Sequence, residues 1–170
     1  MAEYIHYYNV VDGKAKAVPA GQTGDYSITF TDRQEYYNGA NPDNVIYDSD
    51  TDEVRMKTEA ELLVDLKVEA KRNLSKAIQA YIYKYYDAGK QASMQMLKQS
   101  GTTEQHNAID EIWTWVYTTV QKNDYYVRVS DIDSATTIAE LETAVADYDF
   151  SNNDASKPSY SYADIVAMDV

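Results

Sequence analysis

Apolar positions alternate over the first part of the chain and recur at steps of three and four from Thr58 onward, so the sequence divides into a strand region and a helical region. Residues 3–11 read as a strand. Asp12-Gly13 is the dipeptide that most favours a two-residue hairpin turn, and residues 14–18 return as a second strand ending at Pro19. After the loop 20–24, Tyr26, Ile28 and Phe30 alternate with Ser27, Thr29 and Thr31, which places three apolar side chains on one face of a strand. Residues 32–43 read as a polar loop broken by Gly39 and Pro42. A second hairpin is expected from residues 44–47 and 53–56, which flank Asp48-Ser49-Asp50-Thr51-Asp52.

Thr58 and Glu61 form a capping box, in which the hydroxyl bonds the third helical amide and the carboxylate reaches back to the cap amide. Leu63, Leu66, Ala70, Leu74, Ala77, Tyr81 and Tyr85 then lay one stripe along a helix running to about Tyr86, widened by Leu62, Ile78 and Ile82. Leu66 and Leu74 are expected to be buried and Lys71 to lie on the far side. Asp87-Ala88-Gly89 reads as the stop. A short helix over residues 90–99 follows, ending at Ser100-Gly101. Thr102 or Thr103 caps the next, whose apolar positions are Ile109, Ile112, Trp113, Val116 and Val120, with Asn123-Asp124 as its end. A further helix is expected over residues 136–148, capped by Ser134 or Thr137 and facing Ile138, Leu141, Ala144 and Val145 inward. The tail 152–170, with its polar start and Pro158, reads as an extended arm or a mobile end. The pattern predicts an α+β chain: a small N-terminal antiparallel β region (1–57), a bundle of three or four helices (58–150) and a C-terminal arm (151–170).

Composition narrows the partners. A net charge of −13, from 28 acids against 15 bases, disfavours a phosphate backbone, since such binding runs on Lys and Arg releasing counterions. Nucleic acid is not an expected partner. No cysteine is present, which removes disulfides, thiolate nucleophiles and Cys-type zinc sites and fits a reducing compartment. The acidic start Met1-Ala2-Glu3-Tyr4 lacks the basic and apolar regions of an export signal, and no apolar run approaches the roughly 20 residues of a membrane span. No membrane association is expected.

Candidate chemistry is sparse. His6 and His106 lie in no triad-like spacing, and the common nucleotide, zinc-protease and hydrolase motifs are absent. No enzyme activity, catalytic residue or cofactor is expected. Asp48, Asp50, Asp52 and Glu59 reproduce the one, three, five and twelve spacing of a calcium-binding EF-hand loop, but Glu53 stands where that loop needs its glycine. An acidic hairpin turn is the preferred reading. The seventeen tyrosines and two tryptophans carry more weight, with Tyr81, Tyr83, Tyr85 and Tyr86 closing one helix and Trp113, Trp115 and Tyr117 on another. Such side chains give large contact area and keep a polar handle, so these seven are the expected interface. Trp113 and Trp115, two apart, cannot share a face, so one is expected in the core and the other at the interface.

The run Ile78-Gln79-Ala80-Tyr81-Ile82, with Tyr85-Tyr86-Asp87-Ala88-Gly89-Lys90-Gln91-Ala92-Ser93, Ile112-Trp113-Thr114-Trp115-Val116 and Tyr125-Tyr126, resembles the helical part of small bacteriophage tail proteins associated with tail fibres. The likeness covers about residues 60–130, and the first hairpin and residues 44–62 resemble their β-rich N-terminal portions. It implies a structural virion component made in the host cytoplasm, joining a fibre or spike to the tail or baseplate. Other tail or fibre proteins are its implied partners, as a homo-oligomer or a hetero-assembly. Two alternatives stand beside it: a fibre assembly chaperone, and a carbohydrate-binding receptor module using Tyr36-Tyr37-Asn38-Gly39.

Overall fold

The computed structural model describes residues 3–146 and 148–168. Residues 1–2, 147 and 169–170, which carry the extreme ends of the chain and one position of the helix expected over 136–148, lie outside the described residues. The chain forms two compact units, Met1–Val64 and Asp65–Val170, and the boundary falls inside one long helix. The architecture is α+β, with antiparallel strands first and a helical region after them.

In the first unit β1 (Tyr4–Val11) is the centre of a three-stranded sheet, pairing antiparallel with β2 (Lys14–Ala17) and β3 (Tyr26–Phe30). Asp12 and Gly13 take φ of 53° and 72°, the positive pair that a tight hairpin turn of this hand requires. Alternation points Tyr4, His6, Tyr8 and Val10 to one face, and Tyr8 at its centre is fully buried. A second hairpin, β4 (Val45–Asp48) with β5 (Glu53–Met56), lies against β2 and β3. Tyr8, Ala15, Val45 and Val54 form the core between them.

The expected loop 32–43 is instead a helix, α1 (Arg33–Gly39), whose cap Asp32 accepts from the Gln34 and Glu35 amides at 2.8 and 3.0 Å. Its seven residues are too few for an apolar period to show in sequence. Long-range contacts hold it to β1: the Tyr8 hydroxyl donates to the Gly39 carbonyl at 2.8 Å, and His6 Nε2 donates to the Tyr36 carbonyl at 2.8 Å. A Cβ on Gly39 would stand 2.5 Å from Phe30 Cζ and 3.2 Å from the Tyr8 hydroxyl. Alanine is the better helix former by about 1 kcal/mol, but the added methyl would meet the ring of Phe30, which is itself buried. Gly39→Ala is therefore expected to destabilise by roughly 1 to 3 kcal/mol in urea unfolding, through overpacking. A neutral or stabilising result would place α1 away from Phe30.

The helix α2 (Glu59–Tyr85) starts at the expected capping box, with the Thr58 amide donating to Glu61 Oε2 at 2.8 Å and the Glu61 amide to Thr58 Oγ1 at 3.3 Å. In the second unit its buried residues are Ala70, Leu74, Ile78, Tyr81 and Ile82. All five belong to the expected stripe or to its flank, with Ile78 and Ile82 of the flank as deeply buried as the stripe itself. Leu66 falls at its edge, 37% exposed, and Lys71 is not on the far side but bonds Asp133 Oδ1 at 2.7 Å. Asp87-Ala88-Gly89 is a start rather than a stop. Asp87 caps α3 (Ala88–Ser100), accepting from the Lys90 amide at 3.0 Å, and Gly101 ends that helix.

The next helix, α4 (Thr103–Thr114), opens on a capping box of Thr102 and Gln105 and buries Ala108, Ile109 and Ile112. Asn123-Asp124 does not end it. The chain continues through a π-helical stretch, Trp115–Tyr125, in which the Tyr126 amide donates to the Gln121 carbonyl, and then through α5 (Tyr126–Ser134). Asp124 is held within this run by Arg128 Nε and by Asn153 Nδ2. The helix expected over 136–148 is the shorter α6 (Ile138–Ala144), capped by Thr137 and burying Leu141. The tail is neither extended nor free. Ser151–Ser156 is a 3₁₀ turn, and α7 (Tyr162–Ala167) packs on α4 with Ile165 fully buried. No helix of the described residues is long and apolar enough to cross a membrane.

Candidate protein interaction site

The aromatic residues expected at one interface divide into an internal cluster and an exposed set. Trp115 is 3% exposed, its ring centroid 6.0, 6.2 and 6.4 Å from those of Tyr81, Tyr85 and Tyr86. Phe150 closes the cluster at 5.8 Å from Tyr81. Tyr81, Tyr86 and Trp115 are thus core residues, and Tyr85 is half-buried against them. The expectation that these four meet another chain is corrected.

Their polar handles explain the correction. The Tyr81 and Tyr85 hydroxyls both donate to Asp154 Oδ1, at 2.6 and 2.7 Å. The Tyr86 hydroxyl donates to the Tyr160 carbonyl at 3.0 Å, and Trp115 Nε1 donates to the Asn153 carbonyl at 3.2 Å. Each aromatic buries its ring and keeps a hydrogen bond, and all four bonds go to the C-terminal segment. The two tyrosine hydroxyls hold the Asp154 carboxyl below its usual range, while burial, and then Asp154, raises the Tyr81 phenol. Asn153 and Asp154 were not identified from sequence, because a Ser/Asn-rich run gives no sign that it meets a helix end some seventy residues earlier.

The remaining three residues face outward: Tyr83 is 41% exposed, Tyr117 63%, and Trp113 half-buried. Of the two tryptophans, Trp115 is in the core and Trp113 is half-buried. Tyr83 and Trp113 border a groove of about 420 Å³ whose floor is Ile78, Ile82 and Val116. Tyr125 and Tyr126, set edge to face at 5.3 Å, form part of the same wall. No lining residue of this groove is charged, in a chain where 25% of residues are.

The acidic turn has a structural role. Asp52, at φ 55°, accepts from the Tyr26 and Tyr47 hydroxyls at 2.7 and 3.0 Å. Asp48 accepts from the Asp50 amide at 3.1 Å and pairs with Arg55 at 3.5 Å, while Glu59 sits in the first turn of α2. The four carboxylates do not converge, and no group of three or more His, Cys, Asp or Glu side chains among the described residues could hold a metal ion. Tyr36-Tyr37-Asn38-Gly39 is not an exposed loop but part of α1, where the Tyr36 ring stacks on His6 at 3.9 Å and 6° and Gly39 is buried. His106 Nε2 donates to the Leu97 carbonyl at 3.0 Å.

One carboxylate of the first unit has a readable titration. Glu61 receives Arg55 in two bonds, at 2.8 and 2.9 Å, as well as the Thr58 amide. Arg55, and then Thr58, lower its pKa from 4.5 to about 2. A carboxyl depressed on folding contributes stability that is full above its unfolded value and is lost as pH falls toward its folded value. Thermal stability is therefore expected to fall between pH 4.5 and about 2, with a shallower decline in Glu61→Gln. Identical acid limbs in the two proteins would show that the Arg55 pair does not persist in solution.

Comparison with protein-family models, with curated proteins and with solved structures finds no match to this chain.

Proposed function

We propose that the chain is a structural component of a bacteriophage tail, made in the host cytoplasm and carried in the virion, where it joins a fibre or spike to the tail or baseplate by protein–protein contacts. The observation that carries this reading is the uncharged, aromatic-walled groove bordered by Tyr83 and Trp113. Tyrosine and tryptophan are enriched, and charge depleted, at the centre of protein interfaces. The resemblance of residues 60–130 to tail-fibre-associated proteins supplies the setting. Neither catalysis, a cofactor nor nucleic acid enters this role.

Sedimentation of the chain alone and mixed with the neighbouring fibre protein tests the reading. Association is expected, and Tyr83→Ala or Trp113→Ala should weaken it by roughly 2 kcal/mol or more, as truncation of a central aromatic does. Because Tyr83 is exposed and Trp113 is outside the buried core, the circular dichroism of the variants should match the wild type. A chain that stays monomeric and ignores every tail partner contradicts the assignment.

A further inference from the structure

A pocket of about 400 Å³ that shares no lining residue with the groove lies at the C-terminal end of α2. Lys84, Tyr85 and Tyr86 form one side of it, Lys90 of α3 another, and residues 157–163 the rest. Its charged residues are three lysines, and no aspartate or glutamate borders it, in a chain whose 28 acids outnumber its 15 bases. Tyr85 gathers the three. Lys84 Nζ and Lys157 Nζ stand 4.8 and 5.0 Å from the centre of its ring, and Lys90 Nζ donates to its carbonyl at 3.3 Å. The Tyr85 hydroxyl is anchored on Asp154, so the residue that collects these ammonium groups is itself fixed. Asp154 also pairs with Lys84 at 3.8 Å, and Asp87 pairs with Lys90 at 3.1 Å. Lys157 Nζ donates to the Pro158 carbonyl at 3.1 Å and pairs with no carboxylate among the described residues. Like charges drawn to one residue repel each other, a cost that a bound anion offsets.

We propose that this pocket binds a small phosphate monoester, with the phosphoryl oxygens among the three ammonium groups and the organic part against Tyr160 and Tyr162. The site goes beyond the assembly reading and does not depend on it. The cations select the anion. A planar carboxylate is matched by the flat fork of arginine, whereas an ammonium is a point charge with three donors, suited to oxygens spread tetrahedrally around phosphorus. All three cations here are lysines. Ser159, Tyr160 and Tyr162 add hydroxyls able to donate to a phosphoryl or sugar oxygen. Size and charge restrict the rest of the ligand. The volume is at the lower end of the roughly 300 to 1,000 Å³ of small-molecule sites. A polyanion or an anionic membrane surface would meet the repulsion of a chain at −13, whereas a monoester brings only about two negative charges.

Glucose 6-phosphate is titrated calorimetrically into the full chain, beside glucose, inorganic phosphate, citrate and a hexaglutamate peptide. The ester is expected to bind with a Kd of about 1 mM or tighter. It should bind at least about fivefold tighter than inorganic phosphate, because only the ester reaches the tyrosine rings. Between roughly 50 and 500 mM salt its affinity should fall severalfold as the charges are screened. Glucose should not bind. Lys157→Gln and Lys84→Gln should each weaken binding by about tenfold, the loss of one bond to a charged group. Lys157→Arg, which keeps the charge, should cost less than about threefold. Lys122→Gln makes the same change in net charge at an exposed position outside the pocket and should leave the affinity unchanged. Amide shifts on titration should be confined to residues 84–90 and 157–163. Lys84, with a side chain 60% exposed, decides the matter if Lys157→Gln alters the circular dichroism. No binding of the ester, inorganic phosphate binding as tightly, or full affinity in Lys84→Gln overturns the proposal. Tighter binding of citrate or hexaglutamate also overturns it, in favour of a carboxylate or an acidic peptide.

Discussion

Trp115→Ala is expected to destabilise the chain by roughly 3 to 5 kcal/mol, the range for removing a large buried ring. The indole is 3% exposed and boxed by Tyr81, Tyr85 and Tyr86, so the lost contacts leave a cavity that rigid aromatic neighbours fill poorly. The substitution also removes the donor to the Asn153 carbonyl, which lies beside the bonds that hold Asp154. Urea unfolding followed by far-ultraviolet circular dichroism measures the loss as a lower midpoint, and limited proteolysis should find new cleavage in residues 148–168. Trp113→Ala, at a half-buried position, should cost much less in folding and show its effect in association instead. Similar small losses at both positions would put Trp115 on the surface and remove the internal aromatic cluster.

Leu74→Ala follows, with an expected cost of roughly 2 to 5 kcal/mol. Leu74 is fully buried, near the centre of the arc that α2 turns inward. Leu66 carries the same side chain eight residues earlier, but at 37% exposure it should cost only about 0.5 kcal/mol when cut to alanine. Chemical denaturation of the two single variants compares identical chemistry on one helix, so the difference reports burial alone. A reversed order would contradict the burial of Leu74 and the exposure of Leu66.

Locally encoded elements were legible in the sequence. Asp12-Gly13, the alternation of Tyr26, Ile28 and Phe30, and the capping residues Thr58 with Glu61 each set structure through bonds within a few residues, and each appears where expected. Features that depend on distant partners were not legible. α1 is polar along its length and is held by Tyr8 and His6 some thirty residues away. Asn123-Asp124 resembles a helix end in composition, yet Arg128 and Asn153 bind Asp124 and the helical run passes through it. The same limit governed the site. Counting tyrosines located an aromatic region correctly, but whether a ring faces inward depends on where its hydroxyl finds a partner. For Tyr81, Tyr85 and Tyr86 that partner is the C-terminal segment, whereas Tyr83 remains outside. Tyr125 and Tyr126, read only as part of the resemblance, belong to the groove because the π-helical stretch carries the chain past Asn123 and places them opposite α2.

Quantitative mass spectrometry of purified virions tests the tail assignment most directly. A structural component is expected in the particle in a fixed ratio to the fibre or baseplate protein it joins. That ratio should be unchanged by repeated banding of the particles, as a stable contact requires. A chain abundant in infected lysate but absent from purified particles would contradict the assignment and leave an assembly chaperone in its place.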